Sequence, residues 1–477
     1  MKKKKMSTFR TEYDALGSVN VPKNAYYGSF TTRALANFQI SGFTAPTLFR
    51  HALGMVKLAA VQVNRDLKQL PVKESKAIEQ AAREFMDGAF DDQFGLDIFQ
   101  AGAGTPFNMN ANEIIANRAN ELLKAPKGSY KYVHPNNHVN MAQSSNDVIP
   151  TVTRLSILMG FQFLKEEIIS LSESFDAIAK RHADLLKIGR THLETAVPMT
   201  VGQEFKAYAS TLRTLLKTVQ ESEKSLSILG IGGTAIGTGI NTLPGFSKAM
   251  VSNLSKLSGF KLKLAPNFME TTRGHSALLK ASSSLRAVAA ELQSIANDIR
   301  ILSSSILNEI NIPEVEPGSS IMPGKVNPST PECLNMICCQ VMGNDHTVSL
   351  GAQNGQLQLN WHTPIIMWNI LQSTQILTYG IAMFREDCVD DIHVNEAKVS
   401  GNFNSSLVTA TALAPTLGYY KVAALVKEAA ASGQPLRDVV ASKKLMPEKT
   451  LDRLLSPGKM VKPGLIDQKL IKKLKKT

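Results

Sequence analysis

Leu164-Lys165-Glu166-Glu167-Ile168-Ile169-Ser170-Leu171-Ser172-Glu173-Ser174-Phe175-Asp176-Ala177-Ile178 decides the fold class, because Leu164, Ile168, Leu171, Phe175 and Ile178 step by four and three. The same steps recur at Phe205, Tyr208, Leu212, Leu215 and Val219, and again at Leu285, Val288, Leu292, Ile295, Ile299 and Leu302. Such spacing lines one face of a helix, and long helices with narrow apolar seams pack as a bundle at shallow crossing angles. The chain is therefore expected to be mainly α. Further helices are expected from about Thr47 to Met86, after Thr330 and from about Trp361 to Phe384, with a short strand or loop around residues 14–27. Beyond about Ser400 the pattern changes to short helices broken by Gly418, Gly433-Gln434-Pro435 and Pro457-Gly458. The resulting division is a mixed N-terminal domain over 1–142, a central helical bundle over 143–400 and a small helical C-terminal domain over 401–477.

Composition bounds the function classes. The chain has 477 residues, 43% of them hydrophobic and 19% charged. That is enough apolar material for a large core and too little charge for a disordered chain. No apolar run approaches the roughly 20 residues of a membrane-spanning helix, and Met1 to Arg10 lacks the apolar stretch of a secretory leader, so a cytoplasmic location is expected. Cys333, Cys338, Cys339 and Cys388 have neither the density of a disulfide framework nor the paired spacing of a zinc site, and no metal is expected. The net charge of +13 is concentrated at the two ends, in Lys2 to Lys5 and in Lys469, Lys472, Lys473, Lys475 and Lys476, which read as solvated tails. The body lacks a basic stripe interleaved with aromatics, which argues against a nucleic-acid partner, whereas a positive field suits small anions such as dicarboxylates.

Glycine, proline and Asn/Ser clusters interrupt the helices at 101–110, 134–150, 189–200, 230–241 and 317–328. Each could be a plain connector. All of them, however, are rich in small polar residues and exposed backbone N–H groups, and loops on a rigid scaffold are where sites concentrate. Gly318-Ser319-Ser320-Ile321-Met322-Pro323-Gly324-Lys325-Val326-Asn327-Pro328 is the most specific of these stretches. It can close on a carboxylate with backbone N–H groups and Lys325 while setting a serine beside the neighbouring carbon. A Ser/Gly/Pro linker has the same composition.

That run resembles the signature of the aspartase/fumarase superfamily, homotetrameric lyases that eliminate across a C–C bond to release fumarate. The resemblance extends from Thr11 to about Gly464. It takes in Leu16-Gly17 and Tyr26-Tyr27-Gly28, then Gly102-Ala103-Gly104-Thr105 with Asn108-Met109-Asn110-Ala111-Asn112-Glu113. It continues through His134-Pro135-Asn136, Gln143-Ser144-Ser145-Asn146-Asp147, Gly189-Arg190-Thr191-His192 and Gly233-Thr234-Ala235-Ile236-Gly237-Thr238-Gly239. It implies a three-domain helical fold, a homotetrameric helical core in which several subunits share each site, a dicarboxylate substrate and no cofactor. By the same resemblance, Ser319 matches the base that removes a carbon-bound proton, supported by Lys325. Thr105, Ser144, Ser145, Asn146, Thr191, Ser320, Ile321, Met322, Lys325 and Asn327 match the positions that hold the substrate carboxylates. His192, read as lying at the end of a helical segment, matches a histidine on the leaving-group side that is paired with a glutamate at the position of Glu332. His134, with Asn136 and Asn137, resembles the second anion site of class II fumarases.

Such chemistry has a definite physical demand. Taking a proton from carbon beside a carboxylate gathers two negative charges on one group, and preorganised donors must hold them. A serine can serve as the base only if positive potential stabilises its alkoxide. The leaving group distinguishes aspartase, which expels ammonia, from fumarase, which expels water. Tyr26-Tyr27-Gly28, Ala103, residues 355–360 and Lys462-Pro463-Gly464 resemble aspartase; His134, Ser145, Gly232-Gly233-Thr234 and residues 338–345 resemble fumarase. Ala103 weighs most, since it removes a hydroxyl from the position that would hold the leaving water. Deamination of L-aspartate is thus the expected reaction and hydration of fumarate the alternative. The short connection from Ser303 to Glu309, Pro106-Phe107 and Trp361-His362 depart from both subfamilies, beside site loops. They keep open a catalytically weakened member serving as a structural or binding protein, as among lens crystallins related to argininosuccinate lyase.

Overall fold

The computed structural model describes residues 8–466 and 468–474. Lys2 to Lys5, Lys475 and Lys476, expected as solvated tails, lie outside the described residues. The elements are the hairpin β1 (Phe9–Asp14) and β2 (Gly17–Pro22), then α1 (Ser29–Asn37), α2 (Thr47–Asp66), α3 (Val72–Met86), α4 (Thr105–Leu122) and α5 (Ser145–Arg181). A second hairpin, β3 (Leu186–Thr191) and β4 (Glu194–Thr200), leads into α6 (Val201–Leu226). There follow β5 (Ile228–Leu229), α7 (Phe246–Ser258), β6 (Lys263–Leu264), α8 (Phe268–Arg273), α9 (Ser276–Ser303), β7 (Ile310–Asn311), α10 (Ser329–Gln353), α11 (Thr363–Phe384) and β8 (His393–Val394). Short helices occupy the rest of the chain, so the mainly α expectation holds. The strands form only two-stranded pairs, antiparallel except for β5 with β6.

The chain divides into two compact units. One is built from residues up to Glu166 with Leu215–Ala290 and Met336–Tyr379, the other from Glu167–Thr214, Glu291–Asn335 and the chain from Gly380 onward. In the first, α2 packs on α3 and α7, and α3 packs on α4. Phe107 sits at its centre with its ring centroid 5.6 Å from Phe94 and 5.4 Å from Phe49. In the second, Ile168, Leu171, Phe175 and Ile178 are buried, and the Phe175 ring packs at a tilt against Phe205 and Tyr208. The C-terminal short helices bury a core of their own around Leu413, Leu425, Val439, Leu451 and Leu454.

Two local readings change. The helix that carries the 164–178 seam begins at Ser145, inside the 134–150 stretch read as an interruption, because a capping box starts it: the Ser144 hydroxyl accepts from Asn146 N at 3.2 Å and the Asp147 carboxylate accepts from Ser144 N at 2.9 Å. Pro150 lies inside this helix and does not begin it. His192 is not at a helix end. It and Leu193, with φ of 56° and 63°, form the turn of the β3–β4 hairpin, the left-handed pair that matches the twist of a tight antiparallel hairpin.

Candidate active site

In the first unit the starts of α4 and α5 come together. Gly104, preceding Thr105, lies against the Ile149 side chain in the second turn of α5, and Asn108 on α4 donates Nδ2 to Ser145 Oγ at 3.2 Å. Thr105, Ser144, Ser145 and Asn146 are all half-buried. The positive ends of the helix dipoles favour a negative charge at such starts. The 230–239 loop is fixed to the same place, since Asp147 Oδ2 accepts from Gly232 N at 2.9 Å and Thr234 N at 3.0 Å, and Asn146 Nδ2 donates to Ala235 O at 2.8 Å.

Beside these groups are two buried charged side chains that the sequence reading did not single out. Lys57, on α2, is 1% exposed, and its ammonium donates to Asn108 Oδ1 at 2.7 Å, Gln143 Oε1 at 2.9 Å and Asn140 Oδ1 at 3.3 Å. Burial presses Lys57 down to about 7, partly opposed by the Asp147 charge. Burial also raises the Asp147 carboxyl to about 6, against its backbone donors Ser144, Thr234 and Gly232 and the charge of Lys57. Oxygens alone face the ammonium and N–H groups face the carboxylate, which suits the charged form of both. A lysine inside the apolar run from His51 to Val63 was the available sequence signal.

Several quoted motifs prove to be scaffold. Glu113 accepts from the N–H groups of Gly28, Phe30 and Thr31 and so secures the start of α1, while Tyr27 O accepts from Arg10 Nη2. Phe107, one of the departures, is wholly buried core. Trp361 is 45% exposed; its ring lies against Gly102 and stacks on His362, and its carbonyl accepts from Ala103 N at 2.8 Å, so it borders the approach to Thr105. Ala103 is buried and places no hydroxyl there.

His134 caps the turn Pro135–Val139, its Nδ1 accepting from Asn136 N at 3.1 Å and Asn137 N at 3.4 Å. Burial and the neighbouring His138 hold its pKa below the usual histidine value. As a neutral ring it keeps Nε2–H as a donor, and the neighbouring Asn136 and Asn137 are exposed.

In the second unit, the 318–327 loop folds back on itself. Ser319 N donates to Lys325 O at 3.0 Å and Lys325 N to Met322 O at 3.2 Å. Two backbone N–H groups, Ile321 at 3.4 Å and Met322 at 3.2 Å, aim at Ser319 Oγ. Ser320, Ile321, Met322 and Lys325 are exposed, and Asn327 is half-buried just before α10. Thr191 and His192 stand exposed at the hairpin tip. Behind the hairpin, Lys187 bridges Glu204 at 2.5 Å and Glu309 at 3.0 Å, and Arg190 meets Glu309 at 2.7 Å. The short connection after Ser303 thus ends by delivering Glu309 to the hairpin. Glu332, in the first turn of α10, pairs with Arg300 at 3.4 Å; within the chain its partner is this arginine and not His192. Among the described residues no group of three or more His, Cys, Asp or Glu is placed to hold a metal, and no helix is long and apolar enough to cross a membrane.

Comparison with known proteins places the chain in a family. Residues 17–343 match the family model described as Lyase, and residues 409–462 match that of the Fumarase C C-terminus. An aspartate ammonia-lyase of Pseudomonas aeruginosa is 44% identical over 468 residues, 97% of this chain and 98% of that protein. The mitochondrial fumarate hydratase of Saccharomyces cerevisiae is 42% identical, covering 96% of this chain and 95% of its own. The crystal structure of a recombinant class II fumarase from Schistosoma mansoni superposes with a TM-score of 0.92 at 37% identity, covering 95% of this chain and 99% of that one. On the fold, the motif order and the extent of these matches, the chain belongs to the aspartase/fumarase superfamily of lyases.

Proposed function

We propose that the protein is an aspartate ammonia-lyase that reversibly converts L-aspartate to fumarate and ammonia without a cofactor. The observation that carries this reading is the pair of backbone N–H groups directed at Ser319 Oγ. They stabilise the alkoxide that a serine base requires, and Lys325 adds positive charge to the same loop. Ser319 takes the proton from the carbon beside one carboxylate. The resulting aci-carboxylate and the second carboxylate are held by donors from Thr105, Ser144, Ser145, Asn146, Thr191, Lys325, Asn327 and the Ser320 to Met322 backbone. Collapse of the aci-carboxylate forms the C=C bond and expels ammonia from the adjacent carbon. His192 stands on the leaving-group side, where a proton donor or a hydrogen-bond partner serves the departing amine.

These groups are brought to one site by self-association into a homotetramer. Apolar side chains left bare on the long helices support this: Phe163 is 55% exposed, Met336 67% and Tyr379 68%. A cytoplasmic location goes with the reading. Class II fumarate hydratase is the second reading, favoured by the His134 turn and by Ser145; His134, Asn136 and Asn137 then form a second anion site. Ala103 favours ammonia over water. Initial rates of fumarate release from L-aspartate and L-malate, followed by ultraviolet absorbance, test the choice. Release from L-aspartate alone is expected; release from L-malate alone favours the fumarase, and silence on both favours the weakened member or a superfamily lyase of larger succinyl substrates.

A further inference from the structure

The buried lysine beside the carboxylate cradle is used by none of the steps above, yet its bonds determine which way the cradle's hydroxyl points. An ammonium has three donors and no acceptor, so any amide touching it must turn its oxygen inward. Asn108, Asn140 and Gln143 all do so. With its oxygen fixed on Lys57, Asn108 is left to present Nδ2 outward, where it donates to Ser145 Oγ at 3.2 Å and Asn140 Oδ1 at 3.1 Å. A serine oxygen that accepts from Asn108 directs its own O–H elsewhere, and among the described residues that hydroxyl donates to nothing. Gln143 is oriented by the same ammonium: its Nε2 donates to Val139 O at 2.9 Å and Met141 O at 3.1 Å, fixing the turn that enters Ser144.

We propose that Lys57 is a positioning residue for substrate binding, acting through Asn108 to keep the Ser145 hydroxyl proton available to a substrate carboxylate. The inference rests on the dicarboxylate reading of the site. Without the ammonium, Asn108 can rotate its amide and offer Oδ1 to Ser145. The serine then donates into the protein and turns lone pairs toward an anion. Losing one hydrogen bond to a charged ligand weakens binding by about tenfold or more.

The test is calorimetric titration of the full-length protein with fumarate, for the wild type, Lys57→Met, Ser145→Ala and the double variant. Lys57→Met is expected to raise the fumarate Kd at least about tenfold in the wild type, and by less than about twofold in the Ser145→Ala background. Equal losses in both backgrounds would show a general structural role and overturn the inference. Should Lys57→Met fail to fold, Asn108→Asp replaces it, since a carboxylate still pairs with Lys57 but presents an acceptor to Ser145. Its loss of fumarate affinity should likewise vanish when Ser145 is alanine; unchanged affinity, or a loss that persists in that background, overturns the inference. A wild type that binds no fumarate and forms none from L-aspartate or L-malate would end the functional reading and this inference together. Additive losses in a protein that binds fumarate end the inference alone.

Discussion

Gly318→Ala is the sharpest perturbation of the serine loop. Gly318 has φ of +75°, and a methyl placed there would lie 2.0 Å from the Lys325 carbonyl oxygen, the same oxygen that accepts from Ser319 N. Left-handed backbone costs an alanine about 1–2 kcal/mol. Relieving the clash means opening the Ser319 to Lys325 hydrogen bond, a further ~1 kcal/mol. A penalty of ~2–3 kcal/mol disfavours the folded-back loop by about 30- to 150-fold, and kcat/KM should fall by about that factor. Because the loop is exposed, it can open without unfolding the chain, so Tm should move by no more than about 2 °C. Gly324→Ala supplies the control: φ is +78° but no atom lies within 4 Å of the added carbon, so only the backbone cost of about 1–2 kcal/mol applies, about 5- to 30-fold. The assay is the initial rate of fumarate release from L-aspartate. If Gly318→Ala retains more than about a third of wild-type kcat/KM, or Gly324→Ala loses as much, the folded-back loop is not the active conformation.

Two further predictions concern the scaffold. Asp97 is buried; burial opposes its charge, but the N–H groups of Phe99, Ser41 and Gly42 and the Ser41 hydroxyl outweigh that and hold it at about 2, below the ordinary 3.8. Its stabilisation is therefore complete above the ordinary value and is lost as pH falls toward 2; Asp97→Asn should cost ~1–2 kcal/mol at neutral pH, with the Tm gap to wild type narrowing in calorimetric scans below pH ~4. Lys187→Met strips the ammonium from between Glu204 and Glu309 and leaves Arg190 as the cation recorded on Glu309, so a loss of roughly 3 kcal/mol is expected. A thermal scan showing Tm within about 1 °C of wild type would mean that these charges rearrange at little cost.

How far the sequence could be read depended on the physical signal each element carries. The seam from Leu164 to Ile178 was legible because a long helix packed along one side must repeat its apolar residues every three or four positions. The start of the same helix was not, because Pro150 looks like a boundary while the actual start is set by the reciprocal Ser144 and Asp147 bonds, a short pattern inside a polar loop. His192 was misplaced for a related reason. A two-residue hairpin turn is normally announced by asparagine or glycine, and His192-Leu193 offers neither. The candidate site residues were legible only as a family pattern. Residue types could not separate a serine loop that binds a carboxylate from a linker, and the Ser319 loop has its character from where Ile321 and Met322 point their N–H groups. Lys57 shows the converse, since its position in an apolar helix is visible in the sequence but its partners Asn108, Asn140 and Gln143 meet it only in the folded chain.

The most direct test of the central claim, elimination driven by a serine base, is the separation of turnover from binding in Ser319→Ala. With L-aspartate as substrate, kcat should fall by about a thousandfold or more, while fumarate binds with a Kd within about threefold of wild type. Turnover within about tenfold of wild type, with binding unchanged, would contradict the account, because the proton would then be leaving to some other group.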